Sequence, residues 1–149
     1  MGNFEFNAVK GKWRYYAELP GVSDSLVWVL FQSTGIQSDD VLNNYGDLAS
    51  IKASNAEANF TSYARISFTT SVVITQNNTT NVVNLDVPDQ TFAAATAGNT
   101  LAKAILCYKP DSTALDSAMI PSLGYDCAGP TNGSDIILQV NAGGLIDTA

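Results

Sequence analysis

Between residues 63 and 108 the chain repeats with a period of two, and nothing else in it restricts the fold so tightly. Ala64, Ile66 and Phe68 alternate with Arg65, Ser67 and Thr69, and Val83, Leu85 and Val87 alternate with Asn84 and Asp86. Successive side chains of a strand point to opposite faces, so this pattern predicts half-buried strands. The Asn- and Thr-rich stretch 76–81 separates the apolar run 72–75 from 82–87 and predicts a hairpin turn, with a bend near Thr70 and Ser71. Residues 26–31 and 101–108 are continuous apolar runs bounded by polar turns, which predicts strands covered on both faces.

Shorter pieces extend the pattern. Residues 12–19 alternate and stop at Pro20 and Gly21, predicting a first strand; 90–92, 118–121, 135–140 and 145–146 read as further strands. Val41, Leu42, Tyr45, Leu48 and Ala49 fall on one helical face behind Asp39 and Asp40, which suit the positive end of a helix. Asn43, Asn44 and Gly46 weaken that helix, so a short or broken one is expected over about 39–52. The expected fold is mainly β: a single-domain antiparallel β-sandwich or jelly-roll-like barrel with one short helix inserted near residues 39–52. An N-terminal arm, 1–11, is expected to precede a domain at 12–149.

At 149 residues the chain is long enough for one sizeable core, and 46% hydrophobic against 14% charged residues excludes a disordered tail. Asn, Ser and Thr number thirteen each, so the outward strand positions are polar but uncharged. Seven basic residues face 14 acidic ones, and residues after Thr75 carry 2 of the former and 7 of the latter. No nucleic-acid partner is expected, because phosphate binding needs clustered Lys and Arg. Lys10, Lys12 and Arg14 beside Trp13 read either as a solvated strand edge or as a contact for a negatively charged partner. No stretch approaches the roughly 20 apolar residues of a membrane helix, so no membrane association is expected. The first residues lack a leader's basic and apolar regions, and the expectation is a chain made and used without secretion. Cys107 sits in an apolar run as a small hydrophobe; two free thiols are expected, with a disulfide to Cys127 as the alternative. Sequons at Asn59, Asn77, Asn78 and Asn132 are the chance product of an Asn- and Thr-rich sequence.

The chain has no histidine, which removes Ser-His-Asp and Cys-His catalysis and the commonest metal ligand. Two cysteines with Asp partners match zinc poorly, and the sequence around Gly143 and Gly144 lacks a phosphate-loop Lys. Asp39 and Asp40 are explained by helix capping. Asp86 with Asp89, or Asp111 with Asp116, could hold calcium, but neither has a calcium-loop spacing and turn aspartates are routine. A glycosidase pair is disfavoured by only three glutamates, all before residue 58. The remaining candidates are aromatic. Trp13, Tyr15 and Tyr16 suit a sugar-stacking platform, an interface anchor or simply core packing. Phe4 and Phe6, with Trp13, suit an arm that docks on a neighbouring subunit.

The order of elements carries a resemblance. Tyr63-Ala64-Arg65 leads to a hairpin returning through Val83-Asn84-Leu85-Asp86. Asp89-Gln90-Thr91-Phe92 follows, with Phe92 where the family pattern has Trp, then Gly98-Asn99 before Ala102-Lys103-Ala104-Ile105-Leu106-Cys107-Tyr108. Met119-Ile120-Pro121 and Asn132-Gly133-Ser134-Asp135 complete it. Over roughly residues 26–141 this resembles a family of small virion proteins of tailed phages, particularly those infecting actinobacteria, treated as head-decoration, minor capsid or minor tail components. The resemblance implies a non-enzymatic protein without cofactor, located in the virion and assembled in the host cytoplasm. It implies symmetric copies bound to the major capsid protein or other virion proteins, decorating or stabilising the capsid exterior. The alternative is a tail-associated module that recognises host-surface carbohydrate.

Overall fold

A computed structural model of the chain describes residues 3–70, 72–79, 82–140 and 146–148, the last three and residues 82–83 by their backbone only. The fold is mainly β, with antiparallel sheets in a β-sandwich-like single domain. Its centre is a five-stranded sheet. β2 (Ser25–Gln32) pairs on one side with β3 (Ile66–Phe68) and on the other with β7 (Thr100–Lys109). β7 pairs with β8 (Ile120–Pro130), which is flanked by β1 (Phe4–Glu5). β4 (Val73–Asn77), β5 (Val82–Asp86) and β10 (Ile146–Thr148) form a second sheet, and β6 (Gln90–Phe92) pairs with β9 (Ile136–Leu138).

The two continuous apolar runs become the central strands. β2 and β7 are in register from Leu26↔Tyr108 to Leu30↔Ala104, and nearly every side chain in both is buried. Trp28, Leu30, Phe31, Ile105 and Leu106 form the core with Leu42, Leu48 and Ile51 from the helices. The predicted hairpin is present, pairing Val73↔Asp86 through Asn77↔Val82. Parts of the predicted turn at 76–81, the bend at Ser71 and residues 143–145 of the final predicted piece lie outside the described residues, while its Ile146 opens β10.

Four expectations are corrected. Residues 12–19 do not form a strand: α1 (Trp13–Ala17) is helical, with Trp13 and Ala17 on its buried face. Trp13, Tyr16 and Ala17 fit a helical face as well as alternation does, and the Arg14–Glu18 pair at i,i+4 favours the helix. Leu19 ends it in the left-handed region at φ 50, just before Pro20. The one helix expected near 39–52 is two, α2 (Asp39–Leu42) and α3 (Leu48–Ser54), with the break at the stretch that Asn43, Asn44 and Gly46 weaken. Asp47 restarts the helix by accepting from the Ser50 amide at 2.8 Å. Residues 116–118 form a 3-10 turn, and the strand predicted at 118–121 instead begins at Ile120 and runs to Pro130. Nor is the described part of 1–11 a separate arm. Phe4 and Glu5 pair with Gly124 and Leu123, the Phe6 amide donates to Ser122 at 3.0 Å, and Phe6 and Val9 are fully buried.

Candidate functional site

Of the five aromatic side chains singled out in the sequence, the structure leaves one in the open. Phe6 and Trp13 belong to the core. Phe4 lies over Gly124, where a Cβ would meet its ring at 2.5 Å, and its centroid is 5.0 Å from that of Phe6. Tyr16 is half-buried against Tyr108, centroids 5.0 Å apart. Tyr15 is 58% exposed and meets Tyr16 edge-on at 5.4 Å. The helical period explains the split: it turns residues 13, 16 and 17 toward the sheet and 14, 15 and 18 away from it.

Two depressions flank this helix face. One, of about 480 Å³, is lined by Gly11, Lys12, Arg14, Tyr15 and Tyr16. The other, of about 690 Å³, runs from Arg14 and Glu18 past Val22 and Asp24 to Thr70 and Ile74. Arg14 belongs to both, so the two form one continuous surface. The second has a rigid wall: Asp24 is buried and accepts from the Gly21 amide at 2.6 Å and from the Tyr108 hydroxyl at 3.0 Å. Burial, reinforced by that bond to Asp24, pushes the Tyr108 hydroxyl up to about 12. The surface offers an exposed ring, two cations, an exposed Val22 and polar Thr side chains, a composition suited to binding a surface.

The charged side chains with the densest bonding lie elsewhere and hold the fold together. Arg65 donates from Nε and Nη2 to both oxygens of Glu57, at 2.7 and 2.8 Å, and from Nη1 and Nη2 to both oxygens of Asp116, at 2.6 and 3.0 Å. Lys52 adds contacts of 2.7 Å to Asp116 and 3.0 Å to Glu57. The Tyr63 hydroxyl donates to Glu57 at 2.9 Å and accepts from the Leu30 amide at 3.1 Å. Burial would raise the Glu57 carboxyl, but the bonds from Arg65, Lys52 and Tyr63 outweigh it and hold it below its ordinary value. The bond from Arg65, against burial and with help from Lys52, holds Asp116 far below the usual carboxylate range. Burial and the Glu57 charge push the Tyr63 hydroxyl well above its ordinary value. Such groups stay ionised or stay neutral; they do not exchange protons near neutrality.

The other acidic candidates have local roles. Asp111 accepts from the amide and hydroxyl of Thr113, both at 2.7 Å, and Asp89 accepts from the Val140 amide at 2.8 Å. Among the described residues no group of three or more metal-binding side chains comes together. Asp39 is not explained by capping: the α2 cap residue is Ser38, and Asp39 Oδ1 lies 3.0 Å from Lys103 Nζ. Cys107 and Cys127 are free thiols, Cys107 facing Pro121 across the β7–β8 ladder. Burial raises both, and with the nearby Asp126 charge brings Cys127 up to about 12, so neither is a ready thiolate.

Sequence reasoning missed Arg65, Glu57 and Lys103. The first two carried no signal, because their partners lie up to 51 residues apart. Lys103 did carry one: a lone cation inside an apolar strand run. Compared with protein-family models, with curated proteins and with solved structures, the chain gives no match.

Proposed function

We propose that this chain is a non-enzymatic structural component of a tailed-phage virion. It decorates or stabilises the capsid exterior through protein–protein contacts repeated by symmetry, with the major capsid protein or other virion proteins as partners. The observation that carries the reading is the division of labour among its side chains. The strongest acids and bases neutralise one another inside the fold, while the exposed helix face presents Tyr15, Lys12 and Arg14 beside a polar groove. Contacts of that kind are individually weak and gain strength when many copies bind one lattice.

Immunogold labelling of intact virions of the encoding phage tests this. Label over the head is expected, and a Tyr15→Ala, Arg14→Ala variant should fold normally yet lose most of its incorporation. Particles without label would overturn the reading. The exposed Tyr15 ring also favours a second reading, a tail-associated module that stacks on host carbohydrate. Label confined to the tail, with saturable binding of the purified chain to host cell-wall glycan, would select it.

A further inference from the structure

Lys103 has no exposed surface, although it lies in the middle of β7. Its Nζ is 3.0 Å from Asp39 Oδ1, makes a hydrogen bond to Asp126 Oδ1, and stands 5.0 Å from the centroid of the Phe4 ring. The three side chains come from three elements: α2 supplies Asp39, β7 supplies Lys103, and β8 supplies Asp126 as the register partner of Lys103. Phe4 covers the site from β1, where the missing Cβ of Gly124 leaves room for its ring.

Enclosing an ammonium in this way gains little stability over a well-packed apolar residue. What it does achieve is the placement of an amine nitrogen 3.0 Å from a carboxyl oxygen of Asp39, with a second carboxylate hydrogen-bonded to the same nitrogen. Reacting groups held side by side behave as though enormously concentrated. We propose that Lys103 and Asp39 condense into an intramolecular amide, with Asp126 as the proton-transfer group. The inference concerns covalent chemistry within the chain and does not depend on the virion role.

The step balances without a co-reactant. One proton passes from the Lys103 ammonium to the Asp39 carboxylate, giving an amine and a carboxylic acid. The nitrogen lone pair attacks Asp39 Cγ and forms the C–N bond. Asp126 takes a second proton from that nitrogen and delivers it to the departing hydroxyl. The C–O bond breaks and water leaves past Asp39, whose side chain is 20% exposed. The third proton stays on the amide nitrogen, and Asp126 is again a carboxylate. Asp39 is assigned as the acceptor because it reaches the same nitrogen from α2, with Oδ1 at 3.0 Å, while Asp126 is engaged by its hydrogen bond to Nζ. Asp126, the register partner of Lys103, already accepts a hydrogen bond from Nζ, the relation that a proton-transfer group needs. The product ties α2 to β7 and closes the chain between residues 39 and 103.

Intact-mass measurement of the purified full chain, followed by peptide mapping, tests this. The expected result is a mass lower than the sequence mass by one water, and a branched peptide joining Lys103 to Asp39. Lys103→Arg should restore the full mass. The near-isosteric Asp126→Asn keeps the other two groups and should slow amide formation about a hundredfold, the scale of a lost proton-transfer group. A folded wild-type chain at full sequence mass after prolonged incubation overturns the proposal. So does a water loss confined to one linear peptide, as a cyclised aspartate gives. Amide formation at the wild-type rate in Asp126→Asn overturns the role of Asp126.

Discussion

Replacing Arg65 with Met would leave Glu57 and Asp116, both largely buried, sharing the single charge of Lys52. Removing one partner of a buried ion pair costs about 3–5 kcal/mol, and the 26% exposure of the Arg65 side chain reduces that to about 2–3 kcal/mol. Urea denaturation should show this loss, and Arg65→Lys should recover little of it, since an ammonium cannot present two forks. The same residues set the acid limb of stability. Both carboxyls have folded values below their unfolded ones, so their contribution is complete above about pH 4.5 and lost as pH falls below about 4. Thermal melts should therefore drop between pH 5 and pH 3, with a shallower drop in Arg65→Met. Glu5 has the opposite sign: burial raises its carboxyl, so the charged form costs stability as pH rises through the folded value. Glu5→Gln should raise the melting midpoint at pH 7 and leave it nearly unchanged at pH 3.

At the scale of elements, α1 is held by its buried face and presents its other face freely. Trp13→Ala should cost about 3–4 kcal/mol, whereas Tyr15→Ala should stay within about 0.5 kcal/mol, which denaturant titration can separate. β1 is held by Phe4 against Gly124. Gly124→Ala should cost about 1–2 kcal/mol, and less in a Phe4→Ala background, a coupling that a double-mutant cycle reads directly. These elements also show what was legible in the sequence. β2 and β7 were plain because a buried strand must be apolar along its whole length. α1 was not, because five residues beginning with Trp13 fit both periods and only the packing decides. β8 was hidden by Pro121, Gly124, Gly129 and Pro130, which read as loop; it persists because β7 supplies a long ladder and Gly124 accommodates Phe4. The aromatic cluster was legible as a set of residues, but its exposed member was not, since that depends on the helix.

For the whole molecule, the sheet centred on β7 carries long ladders to both β2 and β8, while β4 has one partner and mostly exposed side chains. Hydrogen exchange should then be slowest in β7 and markedly faster in β4, in line with local opening of the less covered sheet. Equal protection in both would mean that the small sheet unfolds only with the centre. The five-stranded sheet ends on β1 and β3, strands of two and three residues. Either border gives an approaching chain only a few backbone groups to pair with, too few to seed fibre growth. Copies of this protein can thus be crowded side by side at high local concentration while their five-stranded sheets stay separate at these two borders, and an ordered array built through them has to be specified by side chains.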